Sequence, residues 1–221
     1  MANFKQSHKT FLNAGGPHRG WMNADFAPAQ DLVKKAEGGY SDDKRDPGNY
    51  TGGKIGVGAL IGTKYGIAAP TLKNYLKREP SVNDMKNLPY STAEKIYRSE
   101  YWNAVKGDAI DNQKLANIIY DASVNHGPGK ARSLVNESLK TEKYDIAKIN
   151  SANPEKLFNE IGKKREVFYK KLGGYALNSW LDRLEKLGYT GIDIAKKLKA
   201  EMAIAASIAL FITGTIIFIK S

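Results

Sequence analysis

Eighteen consecutive residues near the C-terminus, Met202 to Ile219 (MAIAASIALFITGTIIFI), carry no charge and are nearly all apolar. A helix of that length spans about 27 Å, slightly short of a ~30 Å hydrocarbon core. A core helix ordinarily keeps a polar stripe, and this run offers only Ser207, Thr213 and Thr215. It reads as a C-terminal transmembrane helix over 202–219, with a buried core helix as the alternative. Lys196, Lys197 and Lys199 precede it and Lys220 alone follows, so the positive-inside bias keeps the bulk of the chain cytoplasmic. Ala203, Ala205, Ala206, Ala209 and Gly214 suit helix–helix packing or releasable insertion. The first 25 residues are polar, with a Gly15-Gly16-Pro17 breaker and no apolar core of a secretory signal. The expected location is therefore the inner membrane, reached through the tail and without an N-terminal signal peptide.

Between these ends the chain reads as helical with one glycine-rich interruption. Asp31 to Glu37 carries Leu32, Val33 and Ala36 on one face and stops at Gly38-Gly39. Ser41 to Gly62 is dense in Gly, Asp and Pro, with β-capable pieces such as Lys54-Ile55-Gly56-Val57, and predicts a small hairpin lobe. Thr71 to Arg78 predicts a helix ending before Pro80. Ser91-Thr92-Ala93-Glu94 has the pattern of a capping box, opening a helix to Trp102. Leu115, Ile118, Ile119 and Ala122 follow helical spacing up to Gly127-Pro128, and Ala131 to Ser138 continues beyond it. Asn153-Pro154 opens a long helix to Leu172, and Leu177, Leu181, Leu184 and Leu187 mark a last one that stops at Gly188. The fold class is α+β, mostly α, with a small β lobe.

The 221 residues lack cysteine, which removes disulfides, thiol nucleophiles and Cys-based metal sites. Three histidines without metal-ligand spacing leave no metal site to propose, and no cofactor is implied. Lys and Arg total 34 against 23 Asp and Glu, the balance of a protein that meets a polyanion: nucleic acid, anionic lipid or bacterial cell wall. Gly53, Gly56, Gly58 and Gly62 do not match a nucleotide loop, since no Gly-Lys-Ser/Thr follows and Ile61 stands where a further glycine is needed.

The sharpest chemical feature is Glu37-Gly38-Gly39-Tyr40, followed by Asp46-Pro47-Gly48 and Thr51. A carboxylate at the end of a helix lies near the negative end of the backbone dipoles, and an apolar neighbour such as Tyr40 strips it of water. Both effects raise its pKa, as a general acid requires. Asp46, in wetter surroundings, would stay ionised and activate a water or stabilise an oxocarbenium-like charge. Two carboxylates in diverging environments are the apparatus of glycoside cleavage. The bland alternative is a surface Glu and a turn Asp.

These motifs, with Thr63-Lys64-Tyr65-Gly66-Ile67, resemble the signature of glycoside hydrolase family 108, phage-type N-acetylmuramidases that cut peptidoglycan. Tyr101 to Val105, Ile119 to Gly127, and Arg165 through Trp180 to Arg183 are similar to the predicted peptidoglycan domain that accompanies it. The resemblance covers roughly Phe26 to Leu187 and implies a lysozyme-like fold. The implied organisation is an extension over 1–25, a catalytic part over 26–95, a helical part over 96–187, a basic linker over 188–201 and the apolar helix. The resemblance also implies Glu37 as catalytic acid, with Asp46 and a threonine, Thr51 or Thr63, beside it. The chain departs from the family in carrying Asn49 where a second glycine is usual, and an insertion from Gly52 to Gly62 precedes the Thr63 run.

Tyr40, Tyr50 and Tyr65 are the candidates for stacking on sugar rings. Asp121 and Asn125, one helical turn apart, tie their helix to the front lobe or else border the cleft, where Asn125 would meet substrate. Trp102 and Trp180 read as core, and His126 as non-catalytic. The expected partners are bacterial peptidoglycan, a membrane at the C-terminal segment, and a holin or secretion machine, with no nucleic acid. The expected role is a phage endolysin or the wall-cutting part of an injection machine. A lytic transglycosylase and a non-catalytic, membrane-tethered wall-binding module are the alternatives.

Overall fold

The computed structural model describes residues 23–34, 38–172 and 177–191. The readings of the N-terminal extension over 1–22, of Glu37, of the linker beyond 191 and of the apolar run 202–219 lie outside the described residues. Among the described residues no helix is long and apolar enough to cross a membrane.

Eight α-helices are described: α1 (Phe26–Lys34), α2 (Ala69–Leu76), α3 (Val82–Lys86), α4 (Tyr90–Ile96), α5 (Gln113–Leu139), α6 (Ile146–Ser151), α7 (Pro154–Leu172) and α8 (Leu177–Lys186). The long α5 is the spine, packing against α7 on one side and α1 on another. Its entry is capped by Asn112, whose side chain accepts from the Leu115 N–H at 3.0 Å. Gly127 (φ 81°, ψ 154°) kinks it just before Pro128, so the helix end expected there is a bend between two helical stretches. Trp102 is fully buried and meets Phe26 and Tyr120 edge-on, with ring centroids 5.7 and 5.4 Å away. Its indole N–H donates to Asp108 at 2.8 Å, which satisfies the one polar atom the ring brings inside.

Several elements depart from the sequence reading. α1 begins at Phe26, five residues before the expected start, because Pro28 falls in its first turn, where no N–H is required. α2 runs from Ala69 to Leu76 and is closed by its C-cap Lys77, which takes the left-handed conformation (φ 55°). Ser91 lies inside α4, whose N-cap is Pro89. The capping box of this region is Ser81 with Asp84, opening α3. Beyond Ile96 the chain widens into a π turn from Tyr97 to Trp102.

The largest correction concerns the expected small β lobe. Among the described residues it contains no strand, only four isolated antiparallel bridges: Ser41 with Thr63, Tyr50 with Leu60, Lys54 with Val57, and Lys64 with Ile67. Glycines at positive φ, Gly53 (71°), Gly56 (75°), Gly58 (78°) and Gly62 (86°), turn the chain before any ladder can extend. Ile55 and Val57 stay 59% and 48% exposed, so no apolar face holds a strand in register. The lobe, residues 38–67, is a set of stapled turns.

Candidate active site

The staple at the centre of the lobe is Asn49, which is fully buried. Its amide donates to the Asp43 carbonyl at 2.9 Å and its side-chain oxygen accepts from the Thr63 hydroxyl. Its main-chain carbonyl accepts from Ile61 N (3.0 Å) and Gly62 N (3.1 Å). A glycine here would lose both side-chain bonds, which accounts for the departure noted in the sequence.

Asp46 is exposed and caps the short 3₁₀ turn Pro47–Asn49, accepting from Gly48 N at 2.8 Å. Thr51 is buried: its hydroxyl donates to Glu79 Oε1 at 2.5 Å and accepts from Ala59 N at 3.0 Å. Lys73 holds the other oxygen of Glu79 at 2.6 Å. The Lys73 hydrogen bond first, and the Thr51 hydroxyl second, hold the Glu79 carboxyl below its ordinary range. Thr63 is half-buried and spends its one donor on Asn49. A hydroxyl has one donor and two acceptor lone pairs, so Thr63 keeps two acceptor positions and Thr51 one. Replacing Thr51 with Val is expected to cost about 1–2 kcal/mol, and Thr51→Ser less, read from denaturant midpoints at constant slope.

The three tyrosines differ in what they can offer. Tyr50 is buried, with its hydroxyl donating to the Lys44 carbonyl at 3.1 Å, so it is a support of the lobe and not a stacking platform. Tyr40 donates to the Ile61 carbonyl at 3.2 Å and its ring lies on Gly62, where a Cβ would come within 2.6 Å of the ring and 2.7 Å of the Ser41 carbonyl oxygen. Tyr65 packs edge-on against Tyr90 at 5.4 Å, and its carbonyl accepts from the Tyr97 hydroxyl at 2.7 Å. Tyr40 and Tyr65 remain partly exposed.

Asn125 stands apart from the lobe. It donates to the carbonyl and Oδ2 of Asp121, both at 3.1 Å, and lines a cavity of about 520 Å³ between α1, α5 and α8. Leu32 supplies the α1 wall, five residues before Glu37, and Trp180, Arg183 and Lys186 supply the α8 wall. The sequence reading missed that wall and Glu79. Its signal was present: Ser179, Asp182, Arg183 and Lys186 recur at i, i+3, i+4 and i+7, the polar face of the helix whose apolar face carries Leu177, Leu181 and Leu184. Glu79 carried none, since its partner Thr51 is 28 residues away.

Below this cavity Asp121 is buried between two guanidiniums. Arg165 Nη2 donates to Oδ2 and Arg183 Nε to Oδ1, each at 2.6 Å. Asp121 thus ties α5 to α7 and α8, not to the front lobe as expected. Burial alone would raise its pKa, and Arg165 and Arg183 overcome that and hold it below the ordinary carboxylate range. His126 is packed against Tyr169 and Phe168, its Nε2 3.0 Å from the Tyr169 hydroxyl. Burial, then the charge of Arg165, pushes its pKa down to about 4 from an ordinary 6.5. The unfolded chain binds this proton and the folded one does not, so stability should fall as pH drops from about 6.5 to about 4. Thermal unfolding of His126→Gln across that window should be flatter than the wild type.

Among the described residues no group of His, Asp or Glu is arranged to hold a metal. Residues 30–127, which enclose the lobe, match the family model described as Glycosyl hydrolase 108. The chain is also similar to the solved structure of SagA from Brucella abortus, at 26% identity and a TM-score of 0.62, over 73% of this chain and 90% of that one. No curated protein matches it. A helical body with a turn-rich lobe and this match support a glycoside hydrolase. The family match covers residues 30–127, a little under half of the chain.

Proposed function

We propose that the protein is a lysozyme-type N-acetylmuramidase, hydrolysing the β-1,4 bond between N-acetylmuramic acid and N-acetylglucosamine in bacterial peptidoglycan. The observation that carries the reading is that one family match spans Glu37, Asp46, Thr51 and Thr63 together. The same match supports a peptidoglycan glycosidase. In this reading Glu37 protonates the leaving oxygen, and Asp46 activates the water on the other side of the sugar. Thr63 orients that water, because it keeps more acceptor capacity than Thr51 and is less buried. Tyr40 and Tyr65 offer ring faces to the glycan, and Asn125 its carbonyl to a sugar or peptide amide in the cavity. The net charge of +11 draws the chain toward the anionic wall.

The context we propose is an endolysin or wall-cutting component of an injection machine, held at the inner membrane by residues 202–219 and released to the wall by a holin or its secretion machine. The test is digestion of purified peptidoglycan, with the fragments identified by mass spectrometry. Reducing-end disaccharide peptides are the expected product. Anhydro-sugar ends, with Asp46→Ala still active, would make the protein a lytic transglycosylase. A folded chain that binds walls of several types and releases nothing would be a docking module.

A further inference from the structure

α7 and the second half of α5 leave a groove between them on the surface. Leu157, Phe158, Ile161, Arg165 and Tyr169 turn inward and are buried. Glu160, Lys163, Lys164, Val167, Phe168, Lys171 and Leu172 line a groove of about 640 Å³ against the second half of α5. Val167 and Leu172 are 61% and 53% exposed there, two large apolar side chains on the rim of the same groove. Leu134 forms the buried floor, and Lys130 lies over the Phe168 ring at 4.8 Å. Lys130 pairs with Glu137 at 3.9 Å, and Lys163, Lys164 and Lys171 flank the apolar side chains with Glu160 as the other acid of the lining.

We propose that this α5–α7 face docks on an anionic lipid bilayer, with Val167 and Leu172 entering the boundary between headgroups and acyl chains and Lys163, Lys164 and Lys171 meeting lipid phosphates. Exposed apolar side chains ringed by lysine match that interface on both counts, since the strip is desolvated by the acyl boundary and the cations are satisfied by the headgroups. A nucleic acid would satisfy the lysines and leave Val167 and Leu172 in water. A second copy would bring the same lysines against them, in a chain already at +11. The inference rests on this face alone and holds whether or not the chain cleaves peptidoglycan.

The absence of cysteine makes the test direct. A Val167→Cys variant of the full chain, labelled with an environment-sensitive fluorophore, is mixed with vesicles of phosphatidylglycerol and phosphatidylcholine, and with phosphatidylcholine alone. An Ile55→Cys variant, on the lobe and 59% exposed, is the control. The label at 167 should shift to the blue and be quenched by brominated lipid on anionic vesicles, and the label at 55 should not. Adding Lys163→Glu and Lys171→Glu should reduce the signal at 167 by about tenfold or more at equal lipid, while peptidoglycan digestion in solution is unchanged. A solvent-like label at 167 on vesicle-bound protein would overturn the proposal by assigning binding to another segment. An equal response on neutral vesicles, no vesicle binding at all, or a shift that appears only when the chain self-associates would overturn it as well.

Discussion

Glu37→Gln is expected to slow fragment release from peptidoglycan by about 10²–10⁴-fold while the thermal transition stays where it is. The amide has the shape of the acid and no proton to deliver at the leaving oxygen. The flanks of this residue are fixed by contacts that the substitution does not touch. Lys34, at the end of α1, sets its ammonium 4.2 Å above the Tyr90 ring, and the Gly38 carbonyl accepts from Tyr65 N at 3.2 Å. Tyr65 and Tyr90 meet each other edge-on, so both ends of the step from α1 to the lobe rest on one pair of rings. Leu32, within α1, lines the cavity with Asn125 and Trp180. Release rates compared with melting curves separate loss of chemistry from loss of fold. A Glu37→Gln protein that keeps more than about a tenth of its activity would move the acid role elsewhere. Asp46→Asn is the informative companion, because asparagine still caps Gly48 and so leaves the lobe intact. A sharp loss there indicates a hydrolytic water under Asp46, and retention indicates attack from within the sugar.

How much of this was written in the sequence depends on whether the determining contacts are local. The helices α7 and α8 were legible because Asn153 and Gly188 mark their ends and the leucine spacing is undisturbed: Asn153 accepts from Lys156 N at 2.9 Å and Gly188 takes φ 91°. The start of α1 was hidden by Pro28, which looks like a breaker and is tolerated in a first turn. Lys54-Ile55-Gly56-Val57 has β-forming side chains, yet its glycines fold the backbone over before a partner strand can pair, and local propensity lost to turn geometry. The position of the lobe and its carboxylate motif were readable. Which groups brace it was not: Thr51 finds Glu79 and Thr63 finds Asn49 only once the chain is folded. The same limit applied to Asp121 and Asn125. Their one-turn spacing was visible, while the arginines that decide the role of Asp121 are 44 and 62 residues further on.

Asp121→Ala is expected to be the most destabilising single change away from the lobe, at about 3–5 kcal/mol. Arg165 is fully buried, and among the described residues its other partners are neutral: the Tyr169 hydroxyl and the Ile118 carbonyl, the latter at 3.2 Å. Removing the carboxylate strands that cation in a low dielectric and takes away the anchor that Arg183 uses to hold α8 against α5. For a domain of this size the loss corresponds to a fall in Tm of roughly 6–20 °C, a large part of the 5–15 kcal/mol that such domains have. Since the folded pKa of Asp121 is depressed, its contribution is complete at pH values above the ordinary carboxylate pKa and disappears as pH falls through the folded one. The variant should therefore lose less stability on acidification than the wild type, and a parallel acid profile would show that the carboxylate is not the charge that matters. A combined Asp121→Leu and Arg165→Met protein should regain much of the lost Tm, because two apolar side chains avoid the desolvation cost that the pair has to overcome. Activity should not recover with it. Arg183 would still lack its 2.6 Å bond to Asp121, one of the contacts that set the α8 wall of Trp180 and Lys186 beside Leu32 and Asn125.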